Sequence, residues 1–237
     1  LAAADPVQTT AVKWQIVGPI TLGLTLMRAG ITADTAFDVA VRAVRSHIRA
    51  IHLRIAESLP LARQMVFLDE PMLTDLQDSS FPLSPGAAID HISGVLASIE
   101  AFGMSGVHCC GAGDWASIMA SGPGVLSLPV DQGLVDVAGY LARFLDEGGW
   151  IAWGVVGTDG PIPASAERPW RELATLWCAL VRGGCDPALL LRHSLLTPAC
   201  GLFSHAEGVA GRIFRLLRSL SDRVNTEATA TRLTIGA

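Results

Sequence analysis

Several features that mark other classes of protein are absent from this chain. Half of its 237 residues are hydrophobic, yet no apolar run approaches the ~18–20 residues that a membrane-spanning helix needs. No basic stripe accompanies the net charge of −5, which argues against a nucleic-acid partner. No Gly-x-Gly-x-x-Gly follows a strand and no P-loop is present, so we expect no nucleotide cofactor. The sequence predicts a protein that binds neither membranes nor nucleic acids.

The start of the sequence and its cysteines bear on the cellular compartment. No secretory signal is visible. The chain has five cysteines, an odd number that suggests reduced thiols rather than disulfides. Cys178 lies in an apolar helical stretch and is interpreted as a core residue. These features predict a cytoplasmic protein with free thiols.

The hydrophobic residues fall into short runs that alternate with helical segments. Only 16% of the residues are charged, a composition that suits a parallel sheet buried on both faces. The expected strands are residues 13–18, 65–69, 106–110, 125–128, 150–156 and 191–196. Because a helix is expected after each strand and the composition shows no break, residues 1–237 are predicted to form a single α/β domain.

Polar residues of the ligand type follow nearly every expected strand. An open doubly wound sheet would use only one or two strand ends at a switch point. Contributions from most strand ends favour a closed (β/α)8 TIM barrel. Such a barrel needs eight strands, and the chain begins at Leu1 without an initiator methionine. We therefore expect the first two β/α units to be missing from this chain.

A histidine and two cysteines form the most informative pattern. His108 and Cys110 stand two residues apart at the end of an expected strand, where alternation places them on one face and Cys109 on the other. Cys200 follows another strand, far along the chain. Imidazole and thiolate ligands are typical of zinc. The separation predicts a site that assembles only in the folded domain; the alternative is a chance cluster of core thiols and a histidine.

The order of five motifs resembles that of a known family. The motifs are Gly-Pro-Ile-Thr at 18–21, Leu-Asp-Glu-Pro at 68–71, His-Cys-Cys at 108–110, Val-Leu-Ser-Leu at 125–128 and Pro-Ala-Cys-Gly-Leu at 198–202. This order is similar to the catalytic barrel of the cobalamin-independent methionine synthases, within the superfamily that also contains the uroporphyrinogen decarboxylases. The resemblance extends over essentially the whole chain.

The resemblance implies a zinc-dependent methyl transfer to the thiolate of homocysteine, which yields methionine. By resemblance, His108, Cys110 and Cys200 bind the zinc ion. Zinc suits this chemistry because it converts a thiol into the thiolate, which is the nucleophilic form. The methyl donor is expected to be methyltetrahydrofolate or a methylated corrinoid protein.

Two departures from the family pattern leave alternatives open. The family has a glutamate ligand on the strand after the histidine, whereas here the first carboxylate is Asp131, which either completes the zinc site or caps the following helix. The family has a proton-donating histidine where this chain has Thr158 and Asp159. Asp159 would serve as the acid if burial raised its pKa. Otherwise a corrinoid donor would need no such proton.

Three further acidic residues are assigned to substrate binding by the resemblance. Asp69 and Glu70 are adjacent carboxylates suited to an ammonium group, and Asp69 is expected to contact the amino group of homocysteine. Asp75 lies near where the family has a residue that contacts the folate. The alternatives are a related methyltransferase with another thiol acceptor, such as coenzyme M, and a metal-binding pseudoenzyme.

Overall fold

The structure is a computed structural model that describes residue 5 and residues 7–203 and 205–235. The chain divides into two compact units, Leu1–Leu126 and Ser127–Ala237. The predicted single domain stays a prediction.

Strands and helices alternate along both units. The strands are β1 (Ala11–Val17), β2 (Arg63–Asp69), β3 (Gly103–His108), β4 (Val125–Pro129), β5 (Trp150–Val156) and β6 (Ser194–Pro198). The α-helices are α1 (Pro19–Arg28), α2 (Ala33–Ser58), α3 (Pro85–Glu100), α4 (Trp115–Ala120), α5 (Ala138–Asp146), α6 (Glu167–Arg182), α7 (Pro187–Arg192) and α8 (Glu207–Ile235). Short 3-10 helices span Pro71–Asp75 and Gln132–Val137.

The six strands of the described residues form one sheet in chain order, β1 to β6. The pairs β1–β2, β2–β3 and β5–β6 are parallel. A doubly wound sheet would reverse its strand order at a switch point, whereas the strands of an α/β barrel follow each other in sequence. The mixed α/β fold therefore fits part of an α/β barrel, and the closed eight-stranded barrel remains a prediction.

Each unit has its own buried apolar residues. In the first unit, Val66, Leu68 and Val107 on neighbouring strands are completely buried. In the second unit, Trp153 on β5 is completely buried, and its indole N–H donates to Ser194 Oγ over 2.7 Å. That hydrogen bond satisfies the one polar atom of a large core side chain.

The first unit contains a helix that the sequence analysis did not predict. Helix α1 begins at Pro19, which occupies the first helical position after Gly18. Proline is well placed there because the first helical N–H has no partner within the helix and the ring fixes a helical φ. Gly23 on α1 packs so closely on α2 that an added Cβ would lie 2.3 Å from Phe37 Cδ1.

Three predicted boundaries are corrected. Strand β3 ends at His108, so Cys110 lies beyond it and strand alternation cannot place its thiol. Residues 191 and 192 belong to α7 and not to a strand, because Asp186 caps that helix through the N–H groups of Ala188 and Leu189. The helix expected after β4 is a 3-10 helix, Gln132–Val137, followed by α5.

Cys178 is exposed, and the prediction that it is a core residue is wrong. Helix α6 buries Leu173, Leu176 and Leu180 along one face. Cys178 lies on the other side of that stripe, as the helical period requires.

None of the described helices is both long enough and apolar enough to cross a membrane.

Candidate functional site

The carboxyl ends of β1, β2 and β3 lie level with one another. The parallel register pairs Val17 with Asp69 and Asp69 with His108. Two further backbone hydrogen bonds tie the loops just beyond: Gly18 N–H donates to Asp69 O over 2.9 Å, and Glu70 N–H donates to His108 O over 2.8 Å. The first unit therefore holds the predicted residues Asp69, Glu70 and His108 on one continuous hydrogen-bonded edge.

His108 and Asp69 face each other across β2 and β3. The His108 Nε2 atom lies 3.8 Å from Asp69 Oδ1. The histidine side chain is 7% exposed and the carboxylate 36% exposed. The distance is too long for a hydrogen bond, but a carboxylate near one ring nitrogen is common around metal-binding histidines and leaves the other nitrogen for a ligand.

Strand β1 adds two polar side chains that the sequence analysis missed. Gln15 Nε2 lies 3.4 Å from Asp69 Oδ2, and Lys13 Nζ donates to Gln15 Oε1. The signal was present in the sequence, because polar Lys13 and Gln15 alternate with Trp14 and Ile16 along the strand. A connected row of polar groups thus runs from Lys13 to His108.

Glu70 is completely buried against the start of α1. Its Oε1 accepts from Ile20 N–H over 2.8 Å, and its Oε2 accepts from Thr21 N–H over 2.7 Å and from Thr21 Oγ1 over 2.6 Å. These backbone groups are in the first turn of the helix, where they have no intrahelical acceptor. Glu70 therefore caps α1 from another strand.

The electrostatics of Glu70 follow from this burial. Burial raises the pKa of Glu70 to about 7, against the lowering effect of the hydrogen bonds from Thr21 and Ile20. Its oxygen atoms are engaged by the helix, so the carboxyl group that faces outward on this strand is Asp69. The substrate-binding role expected for Glu70 stays a prediction.

The motif Gly-Pro-Ile-Thr is the other half of this contact. An added Cβ at Gly18 would lie 2.1 Å from Glu70 Oε1, well inside van der Waals contact. Glycine at 18 gives space for the carboxylate, Pro19 begins the helix, and the next two residues supply the donors. The Gly-Pro-Ile-Thr and Asp-Glu-Pro motifs therefore form the two sides of one buried contact.

Two cysteines follow β3 directly, and they differ in environment. Cys109 is buried, with Sγ 3.9 Å from Gly111 O, and burial raises the pKa of its thiol to about 11. Cys110 is exposed. A thiol that is accessible suits metal or substrate chemistry better than one held neutral in the core.

The remaining predicted site residues lie on the surface or are partly exposed. Asp75, at the end of the first 3-10 helix, is exposed and accepts a 3.1 Å hydrogen bond from Thr74 Oγ1. In the second unit, Asp131 is exposed and its Oδ1 accepts from Gly133 N–H over 2.7 Å, which is the capping alternative. Asp159 is exposed, so the burial that an acid role depends on is absent. Cys200 is half-buried after β6.

The donor set suits a soft metal ion. The first unit offers the imidazole of His108 and the thiol of Cys110 as metal donors, and the second unit offers the thiol of Cys200. Thiolates and imidazole select zinc over the hard cations, which prefer oxygen.

No family model matches the chain, and no curated protein matches it either.

Proposed function

We propose that the chain is a zinc-dependent S-methyltransferase of the cobalamin-independent methionine synthase type, with homocysteine as the acceptor. The observation that carries this proposal is the edge formed by β2 and β3. There a buried imidazole lies 3.8 Å from a partly exposed carboxylate, and an exposed thiol follows two residues later. This combination of a thiol-rich ligand set with a neighbouring carboxylate suits an amino-acid thiol.

His108, Cys110 and Cys200 are the proposed metal ligands. Cys200 follows the carboxyl end of β6 by two residues, as Cys110 follows that of β3. Zinc, when bound, lowers the pKa of a substrate thiol so that the thiolate forms at neutral pH. The remaining chemistry is performed by this chain's carboxylates.

Asp69 has two roles in this proposal. Its Oδ1, 3.8 Å from His108 Nε2, would orient the imidazole when a metal ion is bound, and its exposed part accepts the ammonium group of homocysteine. Glu70 is a positioning residue, because it fixes the loop after β2 to the start of α1. The substrate therefore meets a site whose geometry is set before it binds.

The transfer itself is a displacement at the methyl carbon. The sulfur of the thiolate forms the new S–CH3 bond, and the bond from methyl to the nitrogen of the folate or to the cobalt of the corrinoid breaks. The bonding electron pair leaves with the donor, and the proton of the thiol passes to solvent. A folate leaving group needs a proton, and Asp159 is too exposed to favour this role. A methylated corrinoid is therefore the proposed donor.

Metal analysis of Cys200→Ser tests the ligand assignment. We expect stoichiometric zinc in the purified wild-type protein and a strong loss of zinc in the variant. Cys178→Ser is the matched control, because Cys178 is an exposed thiol of the same unit and has no proposed role. Zinc that survives Cys200→Ser would refute the assignment.

The activity is tested with labelled methyl donors. Transfer of the methyl group from methylcobalamin to homocysteine, with methionine as the product, is the expected result. Transfer to coenzyme M alone would identify another thiol acceptor. Zinc binding without transfer from either methylcobalamin or methyltetrahydrofolate would identify a metal-binding pseudoenzyme.

A further inference from the structure

Lys13 lies on the face of β1 that is turned away from helix α2. The neighbouring residue, Trp14, donates from its indole N–H to Gln64 Oε1 over 3.2 Å, and Gln64 Nε2 lies 3.4 Å from the carbonyl of His52 on α2. Because side chains alternate along a strand, Lys13 and Gln15 lie on the opposite face. Their contacts with each other and with Asp69 confirm this placement.

The ammonium group of Lys13 has few protein partners among the described residues. It donates to Gln15 Oε1 and lies 4.9 Å from the centroid of the Phe67 ring. Lys13 takes part in none of the ion pairs found among the described residues. Although the residue as a whole is exposed, the surrounding protein lowers the pKa of Lys13 by desolvation, and Asp69 partly opposes this effect. A partly desolvated cation that makes no direct ion pair attracts an anion.

Gln15 separates this cation from the carboxylate of Asp69. The side chain of Gln15 contacts Lys13 through its oxygen and Asp69 through its nitrogen. A positive and a negative group thus lie on one face of the sheet with Gln15 between them, and the negative group, Asp69, lies next to His108. This pair of charges is complementary to a zwitterion, whose ammonium would meet Asp69 and whose acidic group would meet Lys13.

We propose that Lys13 binds the carboxylate of the thiol substrate, so that the site selects amino-acid thiols over thiols that lack an acidic group. This inference rests on the proposed methyl transfer to a thiol at the same edge. Lys13 acts by direct contact with the substrate, and Gln15 is a positioning residue that holds the two charges apart.

Thiol binding to the cobalt-substituted protein tests the inference directly. Sulfur-to-cobalt absorption is titrated with homocysteine and with aminopropanethiol, which is homocysteine without its carboxylate. A charge-assisted contact predicts that the wild-type protein binds homocysteine about 10-fold to 100-fold more tightly. Lys13→Met should abolish this preference and leave the affinity for aminopropanethiol unchanged, and Lys13→Arg should keep most of it.

Each other outcome overturns the inference. Equal affinity for the two thiols in the wild-type protein does so without any variant, so a folding defect in Lys13→Met cannot obscure the result. A preference that survives Lys13→Met places the carboxylate elsewhere. If Lys13→Met lowers the affinity for both thiols, Lys13 does not bind the carboxylate and instead helps to position Asp69. A protein that binds cobalt but shows no increase in sulfur absorption when either thiol is added refutes the proposed function, and the inference with it.

Discussion

Acidic residues at the strand ends make different contacts in the two units. In the first unit, Asp69 contacts side chains from both neighbouring strands, Gln15 and His108. Glu70 reaches from the end of β2 to the first turn of α1. Each carboxylate is therefore shared between elements that are distant in sequence.

In the second unit, the acidic residues after the strands act locally. Asp131 bonds the backbone two residues ahead, and Asp159 is exposed. The strands themselves are joined well, since Ala199 N–H donates to Val156 O over 2.8 Å. Strand-end carboxylates are thus shared between distant elements in the first unit, whereas in the second unit Asp131 bonds only nearby backbone.

The largest expected effect is on stability, from an alanine substitution at the glycine that follows β1. The glycine that follows β5 provides the control. Gly18→Ala would place a Cβ 2.1 Å from Glu70 Oε1 and displace the carboxylate from its three donors. Unsatisfied buried donors should lower the free energy of unfolding by about 3 kcal/mol. Gly157→Ala is the control after β5, because its Cβ would meet no atom within 4 Å; a change within about 1 kcal/mol is expected. Urea unfolding of both variants measures the difference.

Equal free energies of unfolding for Gly18→Ala and Gly157→Ala would contradict the contrast drawn between the two units. Such a result would mean that the contact between Glu70 and α1 contributes nothing net, and that the first unit is organised by its apolar core alone.

An intermediate effect is expected for zinc affinity in Asp69→Asn. The amide keeps the size of the side chain but removes the charge that lies beside His108 Nε2. Loss of a carboxylate that orients a metal-binding histidine typically weakens binding about 10-fold to 100-fold. Competition with a chromophoric chelator measures the affinity. An unchanged affinity would show that Asp69 does not orient His108.

The smallest effect is expected for Asp131→Ala. Its hydrogen bond to Gly133 N–H caps the 3-10 helix after β4, and loss of a cap costs about 1 kcal/mol. Thermal unfolding of the variant measures this cost. Metal analysis of the same variant should show an unchanged zinc content. Asp131→Asn preserves the cap, so a fall in its zinc content would identify Asp131 as a fourth ligand. A strand-end carboxylate of the second unit would then have more than a local role, as in the first unit.

The sequence predicted the six strands in their order because short apolar runs alternate with helical periods, but it missed α1 and assigned part of α7 to a strand. The strand-end position of Asp69 and His108 followed from that order. The boundary of β3 was less predictable, since the apolar run continues through Cys109 while the pairing with β2 stops at His108. The face of Cys110 therefore cannot be derived from strand alternation.

The contact between Glu70 and α1 could not be predicted from local patterns. Glu70 lies 49 residues from Thr21 in sequence, and nothing near either residue signals the other. The start of α1 was predictable in principle from Pro19 at a first helical position. The roles of Lys13 and Gln15 required the knowledge of which face of β1 is turned away from α2.

The close approach of Gly18 to Glu70 has a consequence for sequence divergence. The backbone at Gly18 has φ −81° and ψ 169°, a conformation that any residue adopts, so the exclusion of larger residues comes from the carboxylate alone. Relatives of this chain should keep the pair together or lose it together. A natural sequence with a small residue at position 70 would accept alanine or serine at position 18. Covariation between positions 18 and 70 in an alignment of relatives would reveal the contact without any structure.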